Sequence, residues 1–228
     1  MAQGQRKNSN SSSISARAII IGVAILIAVA AAIAVFASGG DDSSSPTTTA
    51  DIVDGGAAPA EFQKVTVDGD ALDPLGDDAT DPARGKVGPN ISGFTHSGFP
   101  VSVKPASDGA PTMLVFLAHW CPHCNAEMPR LLNWYEDGLV PDDLRVVGIT
   151  TSSRKDQANW PPSEWMVSYK WPFEVFADSE TNQAGVAYGV DGYPFMVILD
   201  KDGKVVARHS GEMEESEIPN FVNTALGR

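Results

Sequence analysis

The sequence predicts an α/β domain on a central mixed sheet flanked by helices, preceded by one apolar transmembrane helix and a flexible linker. Three observations predict it. Residues 18–37 form a run of 20 without a charge. Residues 38–60 are rich in Gly, Ser, Thr, Asp and Pro. From residue 87 onward, short apolar runs alternate with helix-periodic segments, the order of an α/β fold.

The apolar run comes first. A helix rising about 1.5 Å per residue crosses a hydrocarbon core of roughly 30 Å in about 20 residues. Arg6, Lys7 and Arg17 precede the run, and Asp41 and Asp42 follow it. The positive-inside rule then puts residues 1–17 in the cytoplasm and the rest outside. A cleaved signal peptide competes, with Val35-Phe36-Ala37 as its site, but such apolar regions span only about 7–15 residues. Either way the body is exported. Residues 38–60 bury too little to offset their ordering entropy and read as a stalk. Residues 61–86 read as a lead-in, with strand-like alternation at 62–67 and a turn-rich stretch at 72–84.

Within 87–228 the elements follow in order. Residues 98–103 suggest a short strand. Residues 112–118 are continuously apolar, as in a strand covered on both faces. A helix opens at Pro122, with Met128, Leu131, Leu132 and Tyr135 as its apolar face and Gly138 as its stop. A strand follows at 145–150, then a helix at 164–170 capped by Ser163. A strand at 173–176 and a helix at 180–188 come next. The strand at 195–199 reads as the last parallel one. The Asp202-Gly203 turn leads to an antiparallel edge at 205–208. A helix at 214–226 closes the chain, and its acidic start (Glu212, Glu214, Glu215, Glu217) reads as solvated.

Composition excludes several functions. Hydrophobic residues are 43% and charged residues 20%, ordinary for a globular protein. After residue 40, 13 basic residues face 29 acidic ones. So acidic a body is unsuited to nucleic acid, which binds through phosphate neutralisation. Two cysteines cannot build a disulfide scaffold or a four-cysteine zinc site. No nucleotide loop, Ser–His–Asp set or zinc-protease motif is present.

The chemistry concentrates at Cys121-Pro122-His123-Cys124. The pair follows a buried strand and opens a helix, so Cys121 meets free backbone N–H groups and the positive end of the helix dipole. Both favour a thiolate, the nucleophile of disulfide exchange. Cys124, one turn on, is placed to resolve a mixed disulfide. A protonated His123 would favour the Cys121 thiolate further. Two other readings of the pair stand beside this one. It is a structural disulfide in a tethered interaction domain, or half of a metal site completed by histidine, as in a Cu(I) chaperone. Of His96, His119, His123 and His209, only His119 and His123 lie close to the cysteines in sequence.

The segment Trp120-Cys121-Pro122-His123-Cys124-Asn125-Ala126-Glu127-Met128-Pro129 resembles the active site of thioredoxin-like proteins. It is most similar to the membrane-anchored TlpA/ResA group of thiol–disulfide oxidoreductases, in which Trp, both Cys, Glu and Pro recur as at Trp120, Cys121, Cys124, Glu127 and Pro129. It departs from that group by placing proline first between the cysteines; Pro-His in that order is similar to the DsbA oxidases. The resemblance implies a thioredoxin-like fold, a redox-active Cys121–Cys124 disulfide, and catalysis by Cys121 and Cys124. It implies a buried Glu127 that relays protons to Cys124. Trp120, Pro122 and His123 modulate the pair. It also implies a cis-Pro194 that, with Tyr193, holds a substrate chain. Thioredoxin carries a buried aspartate where this chain has Val115, which leaves the relay to Glu127 or water. The resemblance requires no cofactor and no metal. Its partners are exported protein thiols and disulfides, a membrane or extracytoplasmic protein that recycles the pair, and the membrane itself through residues 18–37. Trp160, Trp165 and Trp171 mark residues 154–172 as an insert whose aromatics pack a helix on the sheet, with residues 159–162 open to a second reading as a partner-facing loop.

Overall fold

The computed structural model describes residues 56–76 and 80–228. The predicted tail, span and most of the stalk lie outside the described residues. Among the described residues no helix is long and apolar enough to cross a membrane.

An eight-stranded mixed sheet forms the centre, comprising β1 (Thr66–Asp68), β2 (Asn90–Phe94), β3 (Pro100–Val103), β4 (Thr112–Leu117), β5 (Arg145–Thr150), β6 (Glu174–Ala177), β7 (Phe195–Leu199) and β8 (Val205–Ser210). Its order is β1-β2-β6-β5-β4-β7-β8, with β3 paired to β2. The helices are α1 (Pro105–Asp108), α2 (Pro122–Glu136), α3 (Pro162–Ser168), α4 (Gln183–Ala187) and α5 (Glu217–Ala225).

β4 is the hub, and all six of its residues are buried. Successive side chains point to opposite faces. Met113, Val115 and Leu117 enter one core with Met128, Leu131, Trp134 and Ile218 from α2 and α5. Leu114 and Phe116 enter the other with Ile91, Tyr188 and Val197. β4, β5 and β6 are parallel. β7 runs antiparallel to β4, Phe116 opposite Phe195. That corrects the parallel reading of residues 195–199. A buried apolar run carries no mark of strand direction, because both faces are covered in either case.

Other readings are corrected as well. β2 was not anticipated. It carries Gly93, ordinarily a strand breaker, because a Cβ there would lie 2.6 Å from the Phe176 ring. The lead-in strand is shorter than its alternation, Thr66–Asp68. The buried stripe of α2 is Cys124, Glu127, Met128, Leu131 and Trp134. Tyr135, assigned to that face, is 47% exposed and sits edge-on against Phe173. Ser163 does not cap α3 through its hydroxyl; its Oγ and N–H both donate to Glu61, 2.6 and 3.0 Å away. The helices α4 and α5 each start three residues later than their periodicity suggests.

Arg208 ties the lead-in to the sheet. Its Nε and Nη2 donate to Asp81, and its Nη1 donates to the Asp73 and Tyr188 carbonyls at 2.9 and 3.0 Å. Both side chains of the ion pair are buried. Burial alone would push the Asp81 carboxyl up, but the Arg208 guanidinium and the Ala83 N–H outweigh it and hold it below its ordinary value. Arg208→Met should therefore cost about 3–5 kcal/mol in urea unfolding, the penalty of stranding a buried charge. A cost under about 1 kcal/mol would refute this account of how the lead-in is held.

Candidate active site

Cys121 is the N-cap residue of α2, with extended backbone angles (φ −75°, ψ 122°). β4 delivers it there, three residues past Ala118, whose carbonyl accepts the Cys121 N–H at 3.0 Å. Both cysteines are free thiols, so this is the geometry of the dithiol form. Cys121 is 6% exposed and Cys124 is fully buried. The Cys121 Sγ–H donates to the Tyr193 carbonyl at 3.5 Å. The Ala118 N–H donates to Cys124 Sγ at 3.4 Å. Burial, reinforced by neighbouring Cys121 and Glu127, pushes the Cys124 thiol well above its ordinary range.

The Tyr193–Pro194 bond is cis, and the Tyr193 carbonyl is the one that Cys121 Sγ meets. The Tyr193 ring is edge-on to Trp120, centroids 6.3 Å apart. Trp120 donates Nε1–H to the Ser152 carbonyl at 2.7 Å. The Arg154 guanidinium lies over the Trp120 ring, 4.7 Å from its centroid. Trp120 thus touches both Tyr193 and Arg154. Arg154 carried no sequence signal.

Glu127 is fully buried on the same face of α2 as Cys124. Its Oε2 accepts from the Met213 N–H at 3.0 Å and from Arg130 Nη1 at 3.2 Å. Its Oε1 is buried with no hydrogen-bond partner among the described residues. Burial raises its pKa, against the lowering pull of the Met213 N–H and Arg130. Oε2 is thus committed as acceptor and Oε1 is open.

His123 turns its Nδ1 to the Glu212 carboxylate. Its Nδ1 lies 2.6 Å from Glu212 Oε1, and the side chain is 66% exposed. Glu212, read from sequence as solvated, also accepts from Arg130 Nη1 at 2.7 Å. Val115, at the position of thioredoxin's aspartate, is buried in the core.

Two residues went unrecognised in the sequence. His119 is buried, with Nδ1 2.7 Å from the Ala158 carbonyl and Nε2 accepting the Arg154 N–H at 3.1 Å. That pattern assigns the proton to Nδ1, and burial lowers the ring's pKa, so it is neutral. Both nitrogens are therefore committed. Asn125 donates from Nδ2 to the His119 and Cys121 carbonyls at 3.1 and 2.8 Å. Its Oδ1 accepts from Trp165 Nε1 at 2.9 Å and Asn159 Nδ2 at 3.2 Å. Pro129 has no N–H to offer the Asn125 carbonyl four residues back. The Tyr169 hydroxyl donates there instead, at 3.3 Å. The insert thus replaces the bond that Pro129 removes. Among the described residues no group of three or more His, Cys, Asp or Glu is gathered to hold a metal ion.

The thiol:disulfide interchange protein HelX of Rhodobacter capsulatus is 26% identical over 119 residues, 52% of this chain and 62% of that protein. The thioredoxin-like protein YneN of Bacillus subtilis is 30% identical over 136 residues, 59% of this chain and 76% of that one. The chain spans 52–62% of the length of the curated relatives it matches first. A crystal structure of a putative thiol:disulfide interchange protein DsbE from Chlorobium tepidum superposes with a TM-score of 0.51 at 24% identity, covering 63% of this chain and 98% of that one. That likeness shows the fold, which is thioredoxin-like. The AhpC/TSA family model matches residues 85–208, more than half of the chain, and the chain belongs to that family.

Proposed function

We propose that the chain is an extracytoplasmic, membrane-anchored thiol–disulfide oxidoreductase that exchanges disulfides with exported proteins through Cys121 and Cys124. The observation that carries the reading is the asymmetry of the pair: one thiol at a helix start beside a cis-proline strand end, the other buried against a carboxyl. The uncharged run at 18–37 supports the anchor. The names of HelX and YneN support the chemistry.

In the reducing direction the Cys121 thiolate attacks one sulfur of a substrate disulfide. An S–S bond forms to Cys121, and the first substrate sulfur leaves and takes up a proton. Cys124 then gives its proton to the Glu127 carboxylate and attacks Cys121 Sγ. The substrate sulfur still bound to Cys121 leaves as a thiolate and takes up a proton from solvent, and two electrons have passed to the substrate. The oxidising direction runs the same steps backward. Tyr193 and Pro194 present backbone to the partner chain, since proline offers no N–H and the Tyr193 carbonyl faces the nucleophile. A reduction potential near about −120 mV marks an oxidase, and one near about −270 mV a reductase. A recycling protein must restore the pair after each turnover.

Four outcomes test this reading. Cys121→Ser should abolish turnover of insulin disulfides or of an oxidisable peptide dithiol, and retained turnover would exclude the mechanism. Cys124→Ala should instead accumulate a mixed disulfide on Cys121. In the dithiol protein, limiting iodoacetamide should label Cys121 roughly tenfold or more ahead of Cys124, read by peptide mass mapping, because burial keeps Cys124 a protonated thiol. Equal labelling would contradict the assigned order. Glu127→Gln should slow the resolving step by about 10²–10⁴-fold and remove a pH limb lying above the ordinary carboxylate range. An unchanged pH profile would remove Glu127 from the mechanism.

A further inference from the structure

Four ionisable side chains form a chain from the surface to the buried carboxyl. His123 Nδ1 meets Glu212 Oε1 at 2.6 Å. Glu212 Oε2 meets Arg130 Nη1 at 2.7 Å. The same Nη1 reaches Glu127 Oε2 at 3.2 Å. One guanidinium nitrogen is therefore shared by two carboxylates, and the surface one has the shorter contact. The next residue, Met213, sends its N–H to Glu127 Oε2 at 3.0 Å. The loop after β8 thus reaches Glu127 twice, by its backbone directly and by Glu212 through Arg130.

We propose that Glu212 is a positioning residue that divides the Arg130 guanidinium between two carboxylates and so governs how readily buried Glu127 holds its proton. The inference rests on the reading of Glu127 as the proton carrier for Cys124.

The signs follow from charge. An Arg130 engaged only by Glu127 would favour the Glu127 carboxylate. Glu212 draws that nitrogen outward and adds a like charge of its own. Both effects favour the protonated carboxyl. The charged or titratable groups around Glu127 are Cys124 and Arg130 on its own helix and Glu212 on the loop. His123 and His209 act one step out, on Glu212: His209 Nε2 lies 3.3 Å from the Glu212 carbonyl. When His123 is protonated it neutralises Glu212 and weakens the hold on Arg130. The dipeptide between the cysteines thereby reaches the resolving side of the site through space, across the loop.

The test is a carbon-13 NMR titration of the Glu127 carboxyl in the full-length dithiol protein, assigned by its absence in Glu127→Gln. Glu212→Gln keeps the side-chain shape and should lower the Glu127 midpoint by about one pH unit. Arg130→Gln should raise it. The pH limb of turnover should move in the same two directions. An unmoved midpoint in Glu212→Gln, or shifts of the same sign in both variants, would overturn the proposal. The titration needs no turnover. Opposite shifts in a chain that fails the Cys121 test would support the charge sharing and sink only the oxidoreductase reading. Unmoved titration with normal turnover would do the reverse.

Discussion

The Asn125 side-chain amide joins the start of α2 to the insert at 154–172. Its donors hold the carbonyls of His119 and Cys121, and its carbonyl receives Trp165 and Asn159. Apart from the exposed Asn159, these groups are half-buried or buried, where an unmet donor or acceptor costs about 1–3 kcal/mol. The junction from strand to helix therefore cannot drift without breaking several bonds at once. Cys121 is held at the N-cap by that constraint, and everything that touches its sulfur is placed relative to it. Pro129 makes the arrangement mutual. It frees the Asn125 carbonyl, and Tyr169 in the insert takes the vacated role.

Much of this was legible in the sequence, for reasons that can be named. β4 and β5 stood out because strands buried on both faces are continuous apolar runs. The start of α2 stood out because Pro122 is favoured in the first helical turn. Gly138 and Gly203 both adopt positive φ where a helix stop or turn was expected. β2 was hidden because the packing of Phe176 against Gly93 is a long-range demand that leaves a local breaker in the strand. The face of α2 was misjudged because Leu132 and Tyr135 were counted for hydrophobicity, whereas the buried stripe includes a carboxylate. Polarity argued against Glu127 on periodicity alone, and only the motif argued for it. The roles of His119, Asn125, Arg130 and Glu212 could not be found at all. Each depends on at least one partner 35–89 residues away in sequence.

The acidic body takes a different meaning at the site. Most of the excess of acidic residues is solvated charge, which favours solubility. Glu212 is an exception, set between His123 and Arg130. The hydrogen bonds from those two side chains hold its pKa below the ordinary carboxylate value. One member of a surface acidic run thereby becomes the outer end of a relay. Nothing in its local sequence separates it from Glu214 or Glu215, because the distinction lies in which helix face the loop crosses.

Burial also dictates the order of events on the proposed chemistry. A fully buried sulfur cannot meet a protein disulfide, so Cys124 is confined to an intramolecular step on Cys121, three residues away. A thiol held in its protonated form cannot resolve the mixed disulfide early, which gives the substrate time to seat against Tyr193. The delay requires a proton acceptor at the moment of resolution, and bulk water does not reach that depth. The acceptor must be buried with the thiol, which is Glu127's position. A carboxylate in such a place is costly unless its charge is balanced. Full neutralisation by Arg130 would hold it ionised and spoil it as a donor in the reverse direction. Sharing Arg130 with Glu212 leaves the carboxyl between those extremes, able to take a proton in one direction and return it in the other.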